Sequence, residues 1–320
     1  NWTGRLPIVG WPLGALFALW LVGRAAVAVS QDLPAVVVAL ADLALPLVLA
    51  AVIGREIVAG KNWRNLIVLA MLAVLALGNA VFHWEAARGD YAAQGYGLRI
   101  GLGAVLLMIG VIGGRIVPSF TRNWLVRREA GRLPVPPMQR LDKLALLALL
   151  LALLVWVGLP AHPVTGVLLV LAGGLHLVRL ARWAGERTMA EPLVAVLHLG
   201  YAFLPLGALD MAVEILAPGL FGMAAAQHLW MGGAAGLMTL AVMTRATLGH
   251  TGQALAAGPG TVGIYAALVL ATLARVAAGI WPDHAMPLQS AAGLAWILAF
   301  GGYALIYGRL LLLRPAGKRI

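Results

Sequence analysis

Residues 65–84 have the sequence NLIVLAMLAVLALGNAVFHW, twenty residues without Asp, Glu, Lys or Arg. The hydrocarbon core of a bilayer is about 30 Å thick, and a helix needs roughly 20 apolar residues to cross it. Backbone polar groups in that core must be hydrogen bonded within the protein, which a helix achieves by itself. The segment therefore predicts a transmembrane helix.

Apolar segments of this length recur along the whole chain, separated by turn sequences such as Ser30-Gln31-Asp32 and Gly258-Pro259-Gly260. They are too long and too evenly apolar for the strands of a membrane barrel. We therefore predict an all-α protein, a polytopic membrane helix bundle that forms one domain over residues 1–320. Its ten predicted spans are residues 8–29, 33–54, 65–84, 98–118, 141–159, 162–181, 191–216, 220–247, 260–280 and 288–313.

The composition supports this class and excludes others. Of 320 residues, 62% are hydrophobic and only 11% are charged, whereas about 25% of the residues of a soluble chain are charged. The net charge of +11 does not indicate a nucleic-acid partner, because the basic residues lie in short loops between apolar segments. The chain has no cysteine, which excludes disulfides, thiolate metal ligands and covalent haem attachment.

The basic residues also predict the orientation in the membrane. Ten spans place both termini on one side, and 19 of the 23 Lys and Arg residues fall on that side. The other side has four: Arg24, Arg88, Arg99 and Arg275. Because cytoplasmic loops are enriched in Lys and Arg, we expect cytoplasmic termini and a cytoplasmic basic loop at residues 119–140.

The fourth and eighth spans share a pattern of residues, which suggests an internal repeat. Chance similarity between glycine-rich membrane helices is the alternative explanation. The matches occur at an offset of 123 residues and pair Met108 with Met231, Gly110 with Gly233, Gly113 with Gly236, Thr121 with Thr244 and Arg122 with Arg245.

Three sequence motifs resemble the NnrS family of bacterial inner-membrane proteins. They are NWTGR at residues 1–5, GRIVPSFTRN at 114–123 and VMTRATLGHTG at 242–252. The resemblance covers the whole chain. It implies a haem- and copper-binding protein of the bacterial inner membrane, surrounded by the lipid bilayer and linked to the response to nitric oxide or a related small molecule.

The family pattern also has about two further helices upstream, including a His-rich segment that this chain lacks. With those helices restored, twelve spans would form three four-helix repeats, an arrangement analogous to that of haem-copper oxidases. The resemblance names no protein partner and no catalysed reaction. A multi-pass transporter without a redox cofactor is the alternative function, since ten to twelve helices with repeats suit that class too. A scaffold without small-molecule chemistry is a third.

His228 is the histidine that best fits a haem ligand. We expect it about eight residues into its span, with Gly232 and Gly236 on the same helical face. Small residues beside an imidazole leave room for a flat macrocycle, but they equally allow close helix packing. Spacing alone favours packing, and the family resemblance favours a b-type haem with His228 as an axial ligand.

The remaining candidates for metal or cofactor binding are less distinctive. His83 lies beside Asn79 and Glu85 at the end of the third span, where both a ligand role and a structural role fit. For His198 a polar contact between helices is the simpler explanation, and for His250 the third motif favours a functional or packing role over that of an exposed loop residue. The last two candidates, Arg122 and Arg245, end their helices where a cation is expected anyway; pairing with a haem propionate is the alternative.

Overall fold

The structure is a computed structural model that describes residues 8–128 and 130–312. All regular structure in those ranges is helical, as predicted. The motif at residues 1–5 lies outside the described residues, as does Leu313 at the end of the last predicted span. So do four basic residues of the topology count, Arg5, Arg314, Lys318 and Arg319.

The chain divides into two compact units, the first ending at Met108 and the second beginning at Ile109. The first unit contains α1 (Trp11–Ala28), α2 (Ala35–Ala59), α3 (Leu66–Ala87) and α4 (Tyr96–Met108). Helices α3 and α4 approach so closely that a Cβ on Gly97 would overlap the backbone of Phe82. Small residues permit this contact, as is common between membrane helices.

The second unit is built around a buried central helix, α8, which contacts α5, α7, α9, α10 and the π-helix π2. Two of its helical elements are π-helices, in which the chain winds more widely than in an α-helix. In chain order the elements are π1 (Ile109–Gly113), α5 (Gly114–Leu125), α6 (Arg140–Gly158), α7 (Pro163–Ala181), α8 (Pro192–Leu216), α9 (Met223–His228), π2 (Leu229–Leu237), α10 (Met238–His250), α11 (Pro259–Ile280) and α12 (Ala285–Leu312).

The helices agree with the ten predicted spans. Within the described ranges, nine helical segments are long and apolar enough to cross a membrane. The tenth predicted span, residues 220–247, is present as α9, π2 and α10 in succession. The prediction of an all-helical polytopic membrane protein is therefore confirmed, while the assignment of all spans to one domain stays a prediction.

The π-helices fall at matching places in the suggested repeat. Shifted by 123 residues, π1 corresponds to residues 232–236, which lie within π2. The sequence match between the fourth and eighth spans thus extends to a rare backbone conformation. The agreement supports the repeat, and superposition of the two segments will decide it.

Two buried glutamates hold the turns that lead into the fourth and eighth spans, the first between α3 and α4 and the second between α8 and α9. Glu85, at the end of α3, accepts hydrogen bonds from the backbone amides of Tyr96 and Gly97 at 2.6 and 3.0 Å. Glu214, near the end of α8, accepts from Gly219, Phe221 and Gly222 at 2.9 to 3.1 Å. Amides that would otherwise be unpaired at the start of a helix are satisfied in this way. Both carboxylates therefore have a structural function.

A buried arginine supports π1 from the neighbouring helix. Arg179 of α7 has no exposed side-chain surface and pairs with Asp142 of α6 at 2.7 Å. Its Nη1 also donates to the carbonyl of Gly110 in π1 and to the hydroxyl of Tyr201, both at 2.8 Å. The absence of a side chain at Gly114 makes room for the guanidinium. The ion pair thus holds a carbonyl of the π-helix.

Candidate functional site

The second unit contains a cavity of about 370 Å³ beside π2. Its walls come from α9, π2, α11 and α12, and most of its lining is apolar. Such a volume lies within the range of small-molecule sites, roughly 300 to 1,000 Å³. The residues that line it are His228, Met231, Gly232, Ala271, Thr272, Arg275, Gln289, Ala292, Gly293 and Trp296.

His228, the last residue of α9, contacts Arg275 across this cavity. Its Nε2 lies 3.1 Å from Nε and 2.9 Å from Nη2 of the guanidinium. Because a guanidinium only donates hydrogen bonds, Nε2 must accept both. The imidazole is therefore neutral and has its proton on Nδ1. His228 thus faces a cavity, as a ligand should, but its Nε2 lone pair is engaged by a cation of the same chain.

The glycines near His228 are in close contact with three other helices. A Cβ on Gly232 would lie 2.7 Å from the hydroxyl of Thr272, and one on Gly233 would overlap the ring of Phe203. A Cβ on Gly236 would approach the ring of Trp296 to 3.3 Å. Gly232 also lines the cavity, whereas Gly236 does not. The small residues therefore do serve helix packing, and one of them also shapes the cavity wall.

His198 of α8 is buried beside α5 rather than in the cavity. The hydroxyl of Thr121 donates to the carbonyl of Val117 at 2.8 Å, so that it accepts from Nε2 of His198 at 2.7 Å. This assigns the proton to Nε2 and leaves a lone pair on Nδ1, which is buried and has no partner among the described residues. Nδ1 faces the backbone of Gly185. The polar contact between helices predicted for His198 is thus present. It uses Nε2 and leaves Nδ1 without a hydrogen bond among the described residues.

His83 belongs to the first unit, in a cluster centred on Asp42. Its Nε2 lies 3.1 Å from Oδ2 of Asp42, and Asn79 donates to the same oxygen at 3.0 Å. Arg24 pairs with the other carboxylate oxygen. Only one imidazole and one carboxylate are present, so the cluster provides too few ligands for a metal site by itself.

The other three candidates, His250, Arg122 and Arg245, do not line the cavity. His250 ends α10 and is exposed, as is Arg122 in α5. The guanidinium of Arg245 lies 4.2 Å from the ring centroid of Phe120. Arg245 follows His228 by 17 residues, roughly 25 Å along a helix. Among the described residues, no three His, Asp or Glu side chains come close enough to hold a metal ion together.

The other polar residues of the cavity were not recognised from the sequence alone. Arg275 was counted only in the topology, although an arginine within an apolar span is unusual enough to signal a site. Thr272, one turn before Arg275, is too common a residue to be noticed. Gln289 and Trp296 come from α12 and could be placed near His228 only with the structure.

Comparison with known proteins identifies a family. The sequence pattern of the NnrS family, described as NnrS protein, matches residues 1–315. No curated protein and no solved structure matches the chain.

Proposed function

The chain belongs to the NnrS family, and from this membership we propose that it is a haem-binding protein of the bacterial inner membrane that acts in the response to nitric oxide. The observation that carries the proposal is the position of His228, the histidine singled out from the sequence, at the wall of an apolar cavity. Histidine is a common axial ligand of haem iron.

The residues of the cavity fit a b-type haem in three respects. His228 is neutral, the form in which imidazole binds a metal. Trp296 and Met231 offer apolar surface to a macrocycle, and Arg275 offers a cation to its propionates. Because the chain has no cysteine, the group would be held without covalent bonds. Haem iron would supply a centre that binds diatomic ligands and changes oxidation state.

Binding of haem iron by His228 would require Arg275 to move. If the iron binds Nε2 of His228, the guanidinium of Arg275 has to leave that nitrogen. A long flexible side chain at the edge of a cavity can do so, and the propionates then replace the imidazole as its acceptor. Because Arg275 lines the cavity and Arg122 and Arg245 do not, Arg275 is the better placed of the three for the propionate contact that the sequence offered only as an alternative for Arg122 and Arg245.

The test is the haem content of the purified full-length protein carrying His228→Ala. We expect the Soret absorbance per mole of protein to fall severalfold, because the iron loses an axial ligand. His284→Ala, at an exposed histidine, is the matched control and should leave the absorbance unchanged. Unchanged haem content and an unchanged spectrum in His228→Ala would mean that His228 does not bind the iron and serves helix packing instead.

We also propose that the protein binds copper, with His83, His198 and His250 as separate candidate ligands, since no three His, Asp or Glu side chains of the described residues come close enough to share one ion. The support is the donor chemistry: imidazole nitrogen suits copper, and Nδ1 of His198 has a buried lone pair. Copper per mole of protein, measured by mass spectrometry after loading and desalting, should fall in the His198→Ala variant. Equal copper in wild type, His83→Ala, His198→Ala and His250→Ala would refute this assignment.

The proposed location is the bacterial inner membrane with both termini in the cytoplasm, on the basis of the 19 to 4 distribution of basic residues. A cysteine-free chain allows a clean test, since a single introduced cysteine is the only thiol. Cysteines at Arg128 and Arg319 should react only with reagents that reach the cytoplasm. Labelling from the periplasm at either position would contradict the predicted topology.

The transporter alternative receives less support from the helices. Transporter sites are commonly formed by interrupted helices at the bilayer midplane. The two mid-span prolines, Pro46 and Pro205, lie inside the continuous helices α2 and α8. Within the described residues, neither proline interrupts its helix.

A further inference from the structure

A second cavity lies in the second unit at the end of α5. It has a volume of about 580 Å³ and is lined by Trp124, Leu125, Arg128 and Arg187. It shares no residue with the cavity at His228. Two guanidinium groups and an indole around one space form an unusual lining, because arginines at a surface normally point into open solvent.

Both arginines are held in place by neighbouring groups. The guanidinium of Arg128 lies 4.3 Å from the ring centroid of Trp124, within the range of a cation–π contact. Stacking on a ring leaves the N–H donors of a guanidinium available at its edge. Arg187 donates from Nη1 to the carbonyl of Arg132 at 2.6 Å, and the missing side chain of Gly131 lets its guanidinium lie against the loop.

The surroundings are strongly basic. Residues 122–143 contain six cations, Arg122, Arg127, Arg128, Arg132, Arg140 and Lys143, and two acids, Glu129 and Asp142. Asp142 is buried in its pair with Arg179 and cannot neutralise the surface. Glu186 pairs with Arg132 at 2.7 Å, outside the cavity lining. The loop at the cavity therefore has an excess of positive charge.

The site also lies where a bilayer headgroup would be. Leu125 is the last residue of a helical segment long enough to cross the membrane. Tryptophan is enriched at the level of the headgroups, and basic pockets beside transmembrane helices bind the phosphates of anionic lipids. Val126, directly after the helix, is an apolar residue with 54% of its surface exposed.

We propose that this cavity binds the phosphate group of an anionic phospholipid, with Arg128 as the donor, Arg187 as a second positive charge in the lining and Trp124 as the platform that orients Arg128. A guanidinium can give two parallel hydrogen bonds to one phosphate. The acyl chains of the lipid would follow the apolar surface at the end of α5. Inorganic phosphate offers the same oxygens without the chains, so the experiment distinguishes the two sources.

The test counts lipids bound to the purified protein in nanodiscs of phosphatidylcholine that contain a small fraction of phosphatidylglycerol. Bound phosphatidylglycerol is measured by native mass spectrometry for wild type, Arg128→Gln and Arg127→Gln. Arg127 is the matched control, because it is the adjacent exposed arginine and does not line the cavity. We expect about a fivefold weaker affinity in Arg128→Gln and wild-type affinity in Arg127→Gln.

Trp124→Leu is the second variant, since it removes the platform and keeps both charges. It should weaken phosphatidylglycerol binding as well, and circular dichroism checks that each variant is folded. Equal weakening in Arg127→Gln and Arg128→Gln would mean a diffuse electrostatic effect and would overturn the proposal. So would displacement of phosphatidylglycerol by millimolar inorganic phosphate, since a site that prefers the free ion is not a lipid site.

Discussion

The guanidinium of Arg275 donates two hydrogen bonds to Nε2 of His228, one from Nε at 3.1 Å and one from Nη2 at 2.9 Å. The pair joins α9 to α11 at the wall of a largely apolar cavity. The bonds fix both the tautomer of the imidazole and the direction of its lone pair. Arg275 thus keeps His228 neutral and occupies the lone pair on its Nε2.

Substitution of Arg275 should expose His228 to chemical modification. Arg275→Gln removes the guanidinium from Nε2, so ethoxycarbonylation of His228 by diethyl pyrocarbonate should become severalfold faster. Peptide mass spectrometry measures the rate at each histidine, and His284 provides the internal reference. Arg309→Gln, at the far end of α12, should leave the rate at His228 unchanged. A rate at His228 that is equal in wild type and Arg275→Gln would contradict the pairing.

The glycine at the centre of π2 should tolerate no side chain. A Cβ on Gly233 would overlap the ring of Phe203, and overpacking of this kind costs roughly 1 to 3 kcal/mol. Gly233→Ala should therefore lower the unfolding temperature of the protein in detergent. Gly301→Ala is the control, because nothing lies within 4 Å of the position of its Cβ. Equal unfolding temperatures for the two variants would show that α8 and π2 pack less closely.

The ion pair between Arg179 and Asp142 should be costly to break from one side. Removal of one partner of a buried pair leaves an uncompensated charge, at a cost of about 3 to 5 kcal/mol. Arg179→Met should therefore destabilise the protein strongly. The double variant Arg179→Met, Asp142→Leu should be more stable than this single variant, since neither charge remains. Unfolding in detergent measures wild type, Arg179→Met, Asp142→Leu and the double variant, and strictly additive effects would argue against the pair.

Glu214 should hold the turn between α8 and α9. Glu214→Gln replaces a charged acceptor of three backbone amides, and hydrogen bonds to charged groups contribute about 1.5 to 3 kcal/mol. We expect faster amide hydrogen exchange over residues 217–223 in this variant. Asp283→Asn changes an exposed carboxylate in another loop and should not alter exchange there. Unchanged exchange in Glu214→Gln would mean that the turn is held by other contacts.

The loop contact between Glu186 and Arg132 should depend on pH. Partial burial would raise the pKa of Glu186, but hydrogen bonding to Arg132 outweighs this and holds the pKa below its ordinary value. The contact therefore stabilises the folded loop at neutral pH and is lost as the pH falls through the lowered pKa. Glu186→Gln imitates the protonated acid and should speed tryptic cleavage after Arg132 at neutral pH. The increase should be at most about fivefold for an exposed pair, and Glu56→Gln should have no effect.

The sequence predicted the helices because each span is a long apolar segment bounded by turn residues. It also singled out His228, which lies at the wall of a cavity, while the role of this residue as a ligand stays a prediction. It did not predict Arg275 as the partner of His228, because 47 residues separate them and no local pattern connects α9 with α11. Arg179 was counted with the loop cations, although it is buried, because hydropathy does not show which way a helix end faces. The π-helices have no sequence signature of their own.

Each π-helix gives its segment one residue of spare length. A π turn accommodates about one residue more than an α turn, so deletion of one residue from Ile109–Gly113 would restore ordinary α-helical winding and leave the rotation of α5 nearly unchanged. Each residue of an α-helix advances about 100° around the axis, so a deletion between Gly114 and Thr121 would rotate the two sides of α5 by that angle relative to each other. Thr121 would then point away from His198, with which it is now hydrogen bonded. A single-codon deletion should therefore be tolerated better in Ile109–Gly113 than in α5.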